Sequence, residues 1–206
     1  MGDLKVLGAS PERFVRPDGE RVETRPIKGT RPRGTTPDED RARAAGLLAS
    51  EKDRAENLMI VDLLRNDLGK VCRVGSVRVP RLFDLEGYAS VWHLVSTVCG
   101  ELRGPATRVL PRRLGHRSPE DTSHGDHRWL EPVRRGVYCD AVGYLSFTGA
   151  MDTNIVIRTL ELRDGRMHLQ VGGAVTYDSE PEAEYAETLA KGRALSGALG
   201  AELEKW

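Results

Sequence analysis

The sequence is short of everything that marks a secreted, membrane-spanning or nucleic-acid-binding chain. Cysteine is scarce: Cys72, Cys99 and Cys139 are widely spaced and odd in number. That argues against a disulfide framework or a zinc ribbon and for free thiols in a reducing compartment. No apolar run approaches the roughly 18 residues that a membrane-spanning helix needs. Met1 does not open a charged-then-apolar leader. Excess charge is missing as well. Lys plus Arg and Asp plus Glu each number 31, so the formal net charge is zero. Electrostatics therefore gives no reason to expect a nucleic acid or an anionic membrane as partner. What remains is ordinary: 206 residues, 39% hydrophobic and 30% charged, enough for one large domain with a real core. These features predict a cytoplasmic globular protein.

Along the chain, apolar runs and punctuation alternate. Leu4–Ala9 is strand-like and follows Met1 with no leader or cap, as if the reading began in the middle of a fold. Val22–Arg25 is a short extended segment. Pro26 to Pro37 is rich in Pro, Gly and Thr and predicts a loop. Thr36-Pro37-Asp38-Glu39-Asp40 starts a helix with acids in its first turn. The helical tract then runs to about Leu68, with Leu58, Val61, Leu64 and Leu68 at helical spacing and Gly69 as terminator. Val71–Leu82 and Tyr88–Leu102 alternate like strands. Gly143–Phe147, Asn154–Leu162 and Met167–Val171 are strands too, the last two joined by an Asp164-Gly165 hairpin turn. Glu182–Leu203 is a terminal helix weakened by Gly192, Gly197 and Gly200. Strands and helices come in mixed order without a βαβ rhythm, so the fold class is α+β.

Residues 106–129 break this order. They hold four arginines before Ser118, three histidines and almost no apolar periodicity. Read alone, they are a polar loop too long for a compact domain. His116, His124 and His127 with Asp121 and Asp126 match no established ligand spacing. The tract also lacks the aromatic platform that single-stranded nucleic acid requires.

Several residues could carry chemistry. Glu184 and Glu187 lie three apart on the terminal helix and project from one face. They are either a solvated surface or ligands. The helix opens at Asp178-Ser179-Glu180-Pro181, and just upstream Gly172-Gly173-Ala174 would let backbone amides approach an anion. Glu56 stands mid-helix beside Asn57, where the tract turns apolar. Acids from separate helices, converging with open positions, would suit Mg²⁺, a hard cation that takes oxygen ligands. Lys28 in Pro26-Ile27-Lys28-Gly29-Thr30 is either a surface residue or a partly desolvated amine nucleophile. Arg158, after the apolar run Ile155-Val156-Ile157, is placed to pair with a carboxylate of protein or ligand.

Four blocks together resemble the chorismate-utilising enzymes, the family of anthranilate, aminodeoxychorismate, isochorismate and salicylate synthases. They are Ser10–Phe14 (SPERF), Arg25–Arg33 (RPIKGTRPR), Lys52–Gly69 (KDRAENLMIVDLLRNDLG), and Asp152–Thr159 with Gly172–Glu187. The resemblance covers most of residues 2–105 and 130–200 and fits the family's carboxy-terminal half, with about half of the family's length expected before Met1. It implies a single chorismate-binding domain over 1–206, in a partial fold of mixed and antiparallel sheets with outer helices. Lys28 in PIKGT resembles the aminating component of aminodeoxychorismate synthase, where anthranilate synthases usually carry alanine. The resemblance then implies that chorismate and ammonia give 4-amino-4-deoxychorismate, for p-aminobenzoate and folate. Lys28 would be the nucleophile and Glu12, sixteen residues earlier, the general acid/base. It further implies Mg²⁺ held by Glu56, Glu184 and Glu187, with Lys191 on the same ring carboxylate. Tyr138, Arg158, Gly172 and Gly173 would meet the enolpyruvyl carboxylate, with His93 near the site. A glutamine amidotransferase subunit or domain would be the partner delivering ammonia. Anthranilate or salicylate/isochorismate synthesis, or a catalytically dead fragment, are the alternatives.

Two departures are small. Ala174 replaces a third glycine, and Asp140 stands at a usual glycine position, where it could bring a charge near the site. The large departure is 106–129. The family has a run of the type Phe-Pro-Gly-Gly-Ser-Val-Thr-Gly-Ala-Pro-Lys there, followed by a helix. Back-translated with GC-rich codons and read one base later, the stretch from Val109 returns that run. We therefore expect this segment to be out of frame, bounded by compensating shifts near 104–108 and 129–130. A charged tract cannot bury the apolar face of the helix it replaces, so apolar surface should be left uncovered and turnover should be low.

Overall fold

The structure is a computed structural model and describes residues 4–105, 131, 135–173, 175 and 179–200. The segment 106–129, with His116, His124 and His127, lies outside the described residues, as do Ala174 and Asp178. Ten strands and three helices are described, and every strand pairing given by residue is antiparallel. That is the α+β class expected. The chain divides into two compact units, one within 12–123 and 142–154, the other within 1–11, 124–141 and 155–206.

The larger unit is built on one sheet. Its strands are β2 (Arg13–Asp18), β3 (Arg21–Arg25), β4 (Ile27–Pro32), β5 (Arg78–Gly87), β6 (Val91–Glu101), β7 (Ala141–Leu145) and β8 (Met151–Ile155). The order is β4-β6-β3-β2-β8-β7, with β5 on the other edge of β6. β3 and β4 flank Pro26 and pair along one edge of β6, from Arg21 opposite Glu101 to Pro32 opposite Val91. The Pro26 carbonyl accepts from the Ser96 N–H at 3.1 Å, so the pairing persists across the proline. The loop expected from Pro26 is therefore largely a strand. Its Pro and Gly content signalled irregularity, but β6 supplies a partner that local composition cannot show.

Helices α1 (Pro37–Ala49) and α2 (Glu51–Val71) replace the one long helix expected. Ser50 separates them: its backbone is extended, and its side chain accepts from the Asp53 N–H as the cap of α2. Gly69 does not end α2, which continues to Val71 before Cys72 caps it. α2 packs on β6 and β4. Its buried face of Ile60, Val61, Leu64 and Leu68 contributes to the core with Leu47, Val15, Val22, Leu94 and Val98. One polar residue enters that face. Asn57 is fully buried, donates to the Leu94 carbonyl at 3.1 Å and accepts from the Ser96 hydroxyl at 2.6 Å. Ser96 in turn accepts from the N–H of Phe83, which has φ 61° in the bulged strand β5. The turn beyond β4 is pinned by Asp40, which accepts from Arg33, the Gly34 N–H and the Trp92 indole. Those bonds, led by Arg33, hold its carboxyl well below the usual carboxylate range.

The smaller unit holds β1 (Lys5–Gly8), β9 (Thr159–Arg163) and β10 (Arg166–Leu169) in the order β1-β9-β10, with helix α3 (Pro181–Ala198). Asp164 and Gly165, both at positive φ, make the β9–β10 turn as their sequence predicts. The single strand expected over Asn154–Leu162 is instead two, β8 and β9, in different sheets. The chain changes sheet at 156–158, and Arg158 has φ 48° there. Apolar side chains stay exposed on the sheet edges: Val142, Tyr144 and Leu145 on β7, Phe147 beyond it, and Val6 and Leu7 on β1.

Removing the Asn57 amide strands a buried carbonyl and a buried hydroxyl. Asn57→Ala should lower unfolding stability by roughly 2–3 kcal/mol, read as a lower urea midpoint at unchanged m-value.

Candidate active site

In the larger unit, Glu12, Lys28, Thr30 and His93 are brought together by strand pairing. Glu12 is 5% exposed, and its Oε1 accepts the Ile27 N–H at 3.3 Å. Its carboxylate thus lies against the peptide that leads into Lys28. The pairing of β4 with β6 shifts by one between Ile27, opposite Val95, and Thr30, opposite His93. Two residues, Lys28 and Gly29, therefore face one, which is a β-bulge, a device that re-aims side chains. Gly29 has φ 84°, and a Cβ there would come within 2.9 Å of Asp53 Cβ and of Leu47 Cδ1. Only glycine meets both demands. Lys28 is half-buried, and among the described residues no hydrogen bond or ion pair engages its amine. Thr30 Oγ1 is 2.9 Å from Nδ1 of His93, which is buried and has the Tyr88 ring edge-on at 5.3 Å. Glu56, on α2 of the same unit, has a largely buried side chain with Lys52 at 3.7 Å.

In the smaller unit a second group assembles around Gly172 and Gly173. Lys191 Nζ donates to the Gly172 carbonyl at 3.1 Å and pairs with Glu187 Oε1 at 2.8 Å. A Cβ on Gly173 would lie 3.3 Å from that same Nζ and 3.6 Å from Glu184 Oε2. Ser179 donates to Glu184 Oε1 at 2.7 Å. Tyr138 brings its hydroxyl to the opposite glycine: a Cβ on Gly172 would sit 3.2 Å from it. The Tyr138 turn is tied to the strand change by the Cys139 N–H on the Val156 carbonyl, two residues before Arg158. Arg158 itself is half-buried, and its carbonyl accepts the Ala9 N–H at 3.0 Å. Asp140 is exposed and takes no left-handed φ, which Cys139 takes instead. An acid in place of glycine is therefore free of backbone strain at that position.

Among the described residues, no three His, Cys, Asp or Glu side chains gather into a group able to hold a metal ion. The donors expected for Mg²⁺ are nonetheless of the right kind. Glu184 and Glu187 offer hard carboxylate oxygens one turn apart, each with Oε1 engaged by a neighbour. All three cysteines are free thiols, and no described helix is long and apolar enough to cross a membrane.

The sequence profile described as chorismate binding enzyme matches residues 1–109 and 128–197. The chain belongs to that family. An aminodeoxychorismate synthase of Streptomyces griseus is 48% identical over 95% of this chain and 28% of its own length. The anthranilate synthase component 1 of Pseudomonas putida is 45% identical over 97% of this chain and 42% of its own. Among solved structures, anthranilate synthase component I of Streptococcus pneumoniae superposes with TM-score 0.81 at 38% identity, over 95% of this chain and 44% of that one. The chain thus spans less than half the length of these relatives. Their folds confirm the partial chorismate-utilising-enzyme architecture expected.

Burial, followed by the neighbouring Cys139, raises the Tyr138 phenol well above the usual tyrosine range. A neutral acid with a raised folded-state value contributes stability at and below neutral pH and loses it as pH climbs through that value. Phenolate absorbance should therefore show one tyrosine that ionises only on alkaline unfolding, and Tyr138→Phe should remove that late step.

Proposed function

We propose that this chain derives from the aminating component of 4-amino-4-deoxychorismate synthase, which converts chorismate and ammonia to 4-amino-4-deoxychorismate for p-aminobenzoate and folate. The observation that carries the reading is Lys28, an amine uncommitted among the described residues, on a bulge whose leading peptide touches the Glu12 carboxylate. In the reaction, the Lys28 amine adds to C2 of the ring as the C4 hydroxyl leaves, protonated by Glu12. Ammonia then bonds to C4 and the C2–lysine bond breaks, regenerating the free amine. Two substitutions with a covalent intermediate replace one difficult displacement.

The smaller unit's residues are assigned to the same reaction. Tyr138, Arg158 and the backbone at Gly172 and Gly173 would bind the enolpyruvyl carboxylate. Lys191 would neutralise the ring carboxylate. Glu56, Glu184 and Glu187 would hold Mg²⁺, which when bound supplies charge compensation to that carboxylate. Relatives named as component 1 imply a second component, and we assign it as a glutamine amidotransferase supplying ammonia. Anthranilate synthase chemistry is the second reading, favoured by anthranilate synthase relatives as similar as the aminodeoxychorismate ones.

Product identity separates the two. Chorismate, ammonia and Mg²⁺ should yield 4-amino-4-deoxychorismate and no anthranilate. Lys28→Ala should abolish the product, and Glu12→Gln should slow its formation by roughly 10²–10⁴-fold. Anthranilate as the product would sink the assignment.

Segment 106–129 bears on this chain's own capacity. The family match stops at 109 and resumes at 128, so 110–127 fall outside it. This gap supports the out-of-frame origin of the segment. Turnover should accordingly be low in the chain as written and rise at least about tenfold when the one-base-shifted reading replaces it, with glycine again lining the substrate loop. Sequencing of the DNA and transcript should show a base gained or lost near each end. An intact single frame with full turnover would end this account.

A further inference from the structure

Resting on that reading, we propose that Asp53 is a positioning residue for Lys28: its side chain, through Arg31 and Gly29, locks strand β4 in the register that displays the amine. Two positions on β4 meet α2. A Cβ on Gly29 would lie 2.9 Å from Asp53 Cβ and 3.0 Å from its Cγ, so the backbone of the bulge rests directly on this side chain. Further along the strand, Arg31 Nη2 donates to Asp53 Oδ2 at 2.7 Å, and Arg31 Nη1 donates to the Thr30 carbonyl at 2.9 Å. Gly29 and Arg31 thus turn the same way, toward α2, while Thr30 between them meets His93. A single aspartate holds both positions on the helix side of the strand.

Asp53 is itself anchored. It is buried in the first turn of α2, and its N–H donates to the Ser50 hydroxyl at 3.3 Å. Asn57, one turn further along the same helix face, clasps Leu94 and Ser96 of β6. The carboxylate is therefore fixed relative both to the helix and to the strand with which β4 pairs. A slip of β4 by one residue would exchange its two faces, bring Thr30 against α2 in place of Arg31, and leave a buried carboxylate without its cation. An ion pair of this kind adds little net stability over a neutral replacement, yet moving one partner away from a buried charge is costly. The pair thus discriminates between registers more than it stabilises the fold. Asp53 acts through the strand and not on substrate.

The test needs no chorismate, so its outcome and the product identity are read independently. The chain is treated with acetic anhydride, and acetylation of Lys28 is followed by peptide mass spectrometry with Lys70 as internal reference. Asp53→Asn keeps the shape and removes the charge. It should raise the Lys28 rate at least about threefold and leave Lys70 unchanged, because a bulge released from α2 gives the half-buried amine to solvent. Arg31→Gln should do the same, and the double variant should do no more than either alone, since the two residues act as one unit. Val22→Ala, a core truncation in β3 opposite Gly100, reports general loosening and should leave the Lys28 rate at its wild-type value. An unchanged or slower Lys28 rate in Asp53→Asn would overturn the proposal. So would additive effects of the two substitutions, or a Val22→Ala rate as high as that of Asp53→Asn. If Asp53→Asn fails to fold, Arg31→Gln and Val22→Ala decide on the same criterion.

Discussion

Between Ile27 and Thr30, strand β4 uses one more residue than β6 does, and the backbone absorbs the surplus at Lys28 and Gly29. The close approach of Asp53 and Leu47 to Gly29 makes this a site where a side chain cannot be added without displacing helix α1 or α2. Glu12 then reads the peptide just before the bulge, and His93 meets the residue just after it. An amine, a carboxylic acid and an imidazole are thereby grouped around a single irregularity in one strand pairing. Strand pairs are rigid relative to loops, which is the reason such irregularities serve catalysis well.

The second group follows different physics. Two glycines without side chains allow an ammonium, a phenol and a carboxylate to crowd one stretch of backbone. Lys191 spans the region by touching both the Gly172 carbonyl and Glu187, a helix turn away. Glu184 lies in the first turn of α3, where the helix dipole favours an acid. The arrangement is one that balances charge locally while leaving backbone groups near small residues.

Much of this was readable in the residues. The Asp164-Gly165 turn, the acids opening α1, the small residues before α3 and the Glu184/Glu187 pair all follow from local rules that the structure obeys. The failures share a cause. Pro26–Pro37 looks like loop because its strand exists only through β6, and Asn154–Leu162 looks like one strand because apolarity does not reveal a change of sheet. The split at Ser50 did leave a trace, since Ser50 and Asp53 have the spacing of a helix cap. The Thr30–His93 hydrogen bond left none: it depends on a register shift that no window of sequence contains. The blocks that resembled a known family identified the family, which periodicity alone could not do.

The buried amide of Asn57 has a mechanical meaning. It clasps the backbone of Leu94 and the hydroxyl of Ser96 from the middle of α2. A helix free to slide by a turn would have to break both bonds with no water at hand to replace them. Helix α2 and strand β6 thus form an unyielding wall, with Glu56 mounted on it one residue away.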